Sequence, residues 1–179
     1  LHMAPFDPIV AVAIVWIAVA VLLVVRVLAA HWLIWRSIHR DILDTDPVVT
    51  SSAVTAPVAW GILRPRVLLP ANQRHWQAHQ LDIVIAHEMR HVTGRDCMWQ
   101  FIAQVATALY WFHPFAWRLL SQLRDETEFY CDEVLLALGY KPSAYAETLL
   151  AFANVTSRFD RLCPVTVAVA RRTTIGRRI

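Results

Sequence analysis

Cysteine is scarce and follows no pairing pattern: Cys97, Cys131 and Cys163 are odd in number, and none stands in C-x-x-C spacing. A disulfide framework and a thiolate zinc knuckle are thereby excluded, and a reducing compartment fits the composition. Charge is thin as well. Only 17% of the 179 positions are Asp, Glu, Lys or Arg, where ordinary soluble domains hold about a quarter, so disordered, collagen-like and acidic-tail classes drop out. Lysine is nearly missing, Lys141 being the only one, and 17 basic minus 14 acidic residues leave a net charge of +3. So slight a surplus offers no face for direct nucleic-acid binding. Four arginines (Arg171, Arg172, Arg177, Arg178) fall in the last nine residues, where they suit anionic headgroups or a solvated end equally. The chain has neither an internal repeat nor a low-complexity tract.

Apolar residues are what the chain has in excess, at 57% of positions with a mean hydropathy of +0.42. So short a chain cannot bury that much apolar surface inside itself, which leaves part of it for a membrane. Ile9 to Val25 is a run of seventeen residues without a charge, followed by Arg26 and a second apolar stretch to Trp35. At about 1.5 Å per residue, Ile9 to Trp35 is long enough to cross about 30 Å of hydrocarbon with some tilt. A secretory signal would carry a basic leader and a shorter core, whereas here Asp7 and no Lys or Arg precede the run. Arg26, Arg36 and Arg40 lie on its downstream side, so the positive-inside bias puts the rest of the chain in the cytoplasm, at a bacterial inner (cell) membrane. The organisation expected is a transmembrane helix with a juxtamembrane extension over 1–40, a polar connector over 41–56 and a catalytic domain over 57–179.

Two short β-type runs, around Thr55 to Trp60 and Arg66 to Leu69, are separated by Gly61 and Pro65 and suggest a small hairpin or edge-strand pair. The remainder reads as helices. The first covers Trp76 to Val92 with Gly94 as its stop, and the second Met98 to Phe112 with Asp96 as its cap. The third runs from Pro114 to Leu138 before Gly139, and the fourth from Ser143 to about Thr156. Met98 to Phe112 is almost wholly apolar yet too short for a comfortable crossing, so a core helix and a membrane-hugging hairpin both fit it.

Inside the first of these helices stands His87-Glu88-Met89-Arg90-His91, the H-E-x-x-H pattern. Residues four apart sit one turn apart on one helix face, where two imidazoles can bind a single Zn²⁺. Glu88 lies beside that face, placed to take a proton from the water attacking a carbonyl. With eight His and five Glu in the chain, chance would give the pattern about 0.01 times. The competing explanation is an amphipathic helix with two incidental histidines. A catalytic zinc also needs a third protein ligand. The acid-rich stretch Arg124 to Asp132 offers one: Glu128 and Asp132 share a face, so Glu128 can bind the metal while Asp132 accepts the free N–H of a ligand histidine. Spacing alone leaves Asp125, Glu126 and Cys131 open as alternatives.

These residues resemble the BlaR/MecR-type integral-membrane zinc metallopeptidases. The resemblance rests on Trp60-Gly61-Ile62-Leu63-Arg64-Pro65 with Val67 to Pro70, Ile85 to His91 with Arg95-Asp96, Tyr110 to Pro114, Glu128 to Asp132 around Cys131, and Tyr145-Ala146 before Leu149-Leu150, in family order. It implies a predominantly α, α+β, gluzincin-like zinc-peptidase domain with a small β element and an N-terminal transmembrane helix. In the family the glutamate of the E-x-x-C-D stretch looks like the third zinc ligand, which favours Glu128, with Asp132 behind the ligands. The activity implied is zinc-dependent hydrolysis of a peptide bond in a cytoplasmic protein, a transcriptional repressor or the protease itself, within signal transduction linked to antibiotic resistance. The departures are the lack of an S-x-x-K sensor serine and the single clear spanning helix where the family has several. They suggest an excised fragment or a member that senses something other than a β-lactam. Two other readings stand beside this one. A prenyl-protein or heat-shock quality-control protease shares H-E-x-x-H and a later E-x-x-x-D, and a non-catalytic signalling module would use zinc only to fix its fold. The β element is expected to hold an extended peptide along its edge. Tyr130, His113 and Arg90 suit oxyanion stabilisation by residue type only.

Overall fold

The computed structural model describes residues 7–39 and 46–153, without the side chains of 150–153. The helix α1 (Pro8–Ile38) comes first, followed by strands β1 (Val48–Ser51), β2 (Val58–Trp60) and β3 (Arg66–Pro70). A 3-10 turn over Ala71–His75 leads into α2 (Ala78–Gly94), α3 (Asp96–Leu109), α4 (Pro114–Ala137) and α5 (Pro142–Ala153). The described residues are therefore predominantly helical, an α+β fold with one small sheet. Cys163, the arginines after Arg171, Arg40 and the fourth helix's expected end at Thr156 lie outside the described residues.

The sheet has strand order β1-β3-β2. β2 and β3 form the expected antiparallel pair, with Ala59 opposite Val67, and Gly61 makes the turn between them. At Gly61 φ is +121°, and a Cβ there would stand 2.6 Å from the Arg64 carbonyl oxygen, so only glycine fits without strain. β1 lies in the segment 41–56, read from the sequence as a connector, and pairs parallel to β3 with Val48 opposite Val67. Four residues with polar flanks carry no period of their own, and only the pairing with β3 makes them a strand.

β3 is the central strand, and both its faces are covered. Leu68 is fully buried with Ile34, Ile38, Val49 and Val54, so the end of α1 docks on one face of the sheet. Val67 and Leu69 pack on the other face against Val84 of α2. A third cluster, Ile83, Leu135 and Tyr145, ties α2 to α4 and α5. The upstream part of α1 is different: Ile9, Val12, Leu22 and Leu28 are among its exposed apolar side chains. α1 is long and apolar enough to cross a membrane.

Helix boundaries follow local chemistry with shifts of up to three residues, the largest at the end of α3, which stops at Leu109 where Phe112 is expected. Pro114 takes the first turn of α4 as expected, with His113 as cap accepting from the Phe115 N–H. α2 begins two residues later than expected, after the reciprocal capping pair Gln77 and Gln80. The residue between α2 and α3 is Arg95, held in the left-handed region at φ 54°. Gly94 stays inside α2, and Asp96 opens α3 without capping it.

Leu68→Ala should lower stability by about 2–5 kcal/mol, because it removes a side chain from the junction of α1 and the sheet. Leu63→Ala, at a side chain 83% exposed, should change it by less than about 0.5 kcal/mol. Thermal unfolding in detergent micelles, followed by circular dichroism, checks both values.

Candidate metal centre

α2 presents His87 and His91 one turn apart, and α4 crosses it so that Glu128 faces them. The His87 and His91 Nε2 atoms are 3.2 Å apart. Each stands 3.6 Å from a Glu128 oxygen, His87 Nε2 from Oε2 and His91 Nε2 from Oε1. Three donors bonded to one zinc at about 2.0–2.1 Å in tetrahedral directions lie about 3.3 Å from one another. The donor set fits that requirement. Exposure of the side chains is graded: His91 9% and His87 12%, but Glu128 33%, so the cluster is walled by α2 and open to solvent beside Glu128.

What aims the imidazoles is the chemistry on their far nitrogens. His91 Nδ1 lies 2.8 Å from Asp96 Oδ2, and the carboxylate can only accept there, so His91 donates from Nδ1 and turns its Nε2 lone pair inward. His87 Nδ1 lies 3.0 Å from the Tyr145 hydroxyl of α5, and that hydroxyl donates in turn to Asp132. Asp132 Oδ1 itself is 3.8 Å from His87 Nδ1, too far for a hydrogen bond. The carboxylate expected to hold a ligand histidine directly thus reaches it through a tyrosine. Cys131, fully buried, has its Sγ 3.5 Å from His91 Nδ1. The group His91, Asp96 and Cys131, also compact enough for a cation, is the outer support of His91 and lies on the side of the ring away from His87.

Glu88 faces the sheet, where its Oε2 accepts the Ala59 N–H of β2 at 2.7 Å. The Ala59 carbonyl accepts the Cys97 thiol at 3.3 Å. Both outward-facing peptide groups of Ala59 on this edge strand are engaged by side chains of the site, so an incoming peptide can pair with Ala59 only by replacing these two bonds. Burial pushes the Cys97 thiol up to about 11. Of the residues considered for an oxyanion by type, His113 caps α4 some fifteen residues before Glu128, about 22 Å along the helix. The Arg90 guanidinium lies over the Tyr130 ring, 4.6 Å from its centroid.

Asp96 and Tyr145 escaped the sequence reading as site residues. Tyr145 is 58 residues from His87, and no local pattern marks it. Asp96 had a local signal, five residues beyond His91, but it also suited a helix cap. Gly94 explains why its carboxylate can swing back: a Cβ at Gly94 would lie 2.7 Å from Asp96 Oδ1.

A helix carrying H-E-x-x-H, a carboxylate from a second helix and a small sheet alongside make up a metallopeptidase-type fold. The family model described as BlaR1 peptidase M56 matches residues 3–179, and the chain belongs to that family. Among similar proteins, regulatory protein BlaR1 of Bacillus licheniformis is 29% identical over 126 residues, 69% of this chain and 20% of its own length. The methicillin resistance mecR1 protein of Staphylococcus aureus is 22% identical over 111 residues, 60% of this chain and 19% of its own length. The chain therefore spans about a fifth of the length of these relatives.

Two predictions concern the support of His91. Asp96→Ala should weaken zinc binding by about 10–100-fold, and Gly94→Ala by at least about tenfold, since its new methyl displaces the same carboxylate. Added to Asp96→Ala, Gly94→Ala should cost nothing further; chelator competition reads all three, and additive losses would place the action of Gly94 elsewhere. The second concerns pH. Burial pushes the His91 imidazolium down, but Asp96, Cys131 and the charges of Glu128 and Glu88 outweigh it and hold it well above the ordinary 6.5. A proton bound below that raised value must leave before a cation binds, so zinc affinity should begin to fall while the pH is still above 6.5. Asp96→Ala should move that onset to lower pH.

Proposed function

We propose that the chain is the peptidase unit of a membrane-anchored zinc endopeptidase that hydrolyses a peptide bond in a cytoplasmic protein as part of signal transduction. His87, His91 and Glu128 hold the metal, Glu88 is the general base and then the general acid, and Asp132 with Tyr145 orients His87. The observation that carries this reading is the convergence of two inward-turned Nε2 atoms and the Glu128 carboxylate at 3.2–3.6 Å. Zinc held there would act as a Lewis acid on the scissile carbonyl and on the attacking water. Glu88 has one oxygen fixed by the Ala59 N–H, which leaves the other to receive the proton and later pass it to the leaving amine.

The membrane assignment rests on α1, and the cytoplasmic side on the arginines that follow its apolar run. The names of the relatives, a regulatory protein and methicillin resistance proteins, support a substrate inside a regulatory circuit, a repressor or the chain itself. Closed structural zinc sites use four protein ligands, whereas catalytic sites keep a position open. The three donors and the solvent-exposed flank at Glu128 favour the catalytic reading over a zinc-stabilised signalling module.

Glu88→Ala should retain stoichiometric zinc and lose all cleavage, measured by metal analysis beside a comparison of the proteins cut in cells making wild type or variant. Cleavage by the variant at the wild-type rate would remove Glu88 from the chemistry. Glu128→Ala should weaken zinc binding far more than Glu126→Ala, and the opposite ranking would reassign the third ligand.

A further inference from the structure

We infer that the α3–α4 hairpin is a re-entrant element whose tip is buried in the same leaflet of the bilayer that α1 leaves on its way to the sheet. This rests on the reading of α1 as a spanning helix. From Cys97 to Trp117 the chain has no Asp, Glu, Lys or Arg. Its outer face is exposed and apolar: Trp99, Ile102 and Leu109 on α3, then Tyr110, Phe112 and Phe115 around the turn. An apolar surface of that extent marks a partner rather than a solvent boundary.

Direction identifies the partner as lipid. The end of α1 docks on the sheet through Ile34 and Ile38, and the start of α3 docks on the same sheet through Cys97 and Ala59. α1 and α3 pack against each other, so they leave the sheet side by side and antiparallel in sequence. His31 of α1 touches Trp60 and Phe101 at ring separations of 5.3 and 5.0 Å, which fixes their relative height. From Phe101, nine residues of α3 carry the tip about 13 Å further, to the level of Leu22 on α1. If α1 spans from Ile9 to about Leu28, the tip lies about 10 Å inside the hydrocarbon. α3, fourteen residues long, is about 21 Å and cannot cross, so the chain must turn and return.

Several polar groups of the turn have the internal partners that a dry medium demands, although the buried Trp111 indole N–H has none. The His113 N–H donates to the Tyr110 carbonyl, the Trp117 indole to the Trp111 carbonyl, and the Phe115 N–H to His113 Nδ1. The Thr107 hydroxyl donates to the Ala103 carbonyl. Arg118, the first charge after the turn, is exposed a little over one helical turn above the tip, and Arg26 is exposed on α1 at a similar height; both can snorkel to the headgroups. At that depth Glu128 stands about 10 Å above the hydrocarbon boundary, within reach of peptide segments lying along the membrane surface.

The test places nitroxide labels on the full chain, in a Cys163→Ser background, reconstituted into phosphatidylcholine vesicles containing phosphatidylglycerol. Labels go at Leu109→Cys and Phe112→Cys on the hairpin, Leu22→Cys on α1 and Glu126→Cys on the polar part of α4, each variant first shown to bind zinc. Relaxation by oxygen is compared with relaxation by a water-soluble nickel chelate. The expected result is oxygen dominance at positions 22, 109 and 112 and nickel dominance at 126. Nickel dominance at 109 and 112 with oxygen dominance at 22 would overturn the hairpin and leave the α1 reading standing. Nickel dominance at 22 would overturn the α1 reading itself. Shielding of 109 and 112 from both reagents would overturn the hairpin in favour of contact with another protein surface.

Discussion

Two imidazoles one helical turn apart point their Nε2 atoms at the same place only if something holds each ring by its other nitrogen. That constraint organises the protein around α2. Asp96 holds His91 directly and Tyr145, backed by Asp132, holds His87. The first clamp requires the left-handed residue Arg95 and the missing side chain of Gly94. The second requires α5 to fold back against α2 and α4, which the cluster of Ile83, Leu135 and Tyr145 accomplishes. Tyr145 belongs at once to the apolar core and to the polar relay, its ring buried and its hydroxyl facing the histidine. Packing and ligand orientation are therefore one interaction here.

The small sheet joins this site to α1. Its central strand β3 is covered on one side by the end of α1 and on the other by α2. A displacement of α1 along its axis must then be transmitted to β3, or be absorbed by unpacking Ile34 and Ile38. β2, the strand on the other edge, hands its Ala59 peptide groups to Glu88 and Cys97. Among the described residues, α1, the sheet and α2 are thus in continuous contact through the buried clusters on the two faces of β3. In a core this small no part can shift far without opening voids, and interiors tolerate voids poorly.

Legibility in the sequence followed the range of the interactions. The H-E-x-x-H pair, the long apolar helix, the Pro114 start of α4 and the β2–β3 pair depend on neighbours within a few residues, and periodicity or turn chemistry exposes them. Glu128 and Asp132 were visible as a shared helical face, but choosing Glu128 from its acidic neighbours needed the family resemblance. β1 was hidden because its four residues become a strand only by pairing parallel to β3, nineteen positions later. Asp96 resembles a cap in the sequence because an aspartate before an apolar run fits that pattern, yet its carboxylate holds His91 instead.

The sequence by itself determined the chemistry available: which residues can bind a metal, which one can move a proton, and which segment is too apolar for water. These depend on side-chain type and on the fixed geometry of one helix turn. Only the tertiary structure decided which carboxylate meets the histidines, that a tyrosine stands between Asp132 and His87, and that Glu88 answers to a strand peptide. Each of those contacts joins segments whose approach is set by the packing of three buried clusters, and no spacing along the chain encodes it.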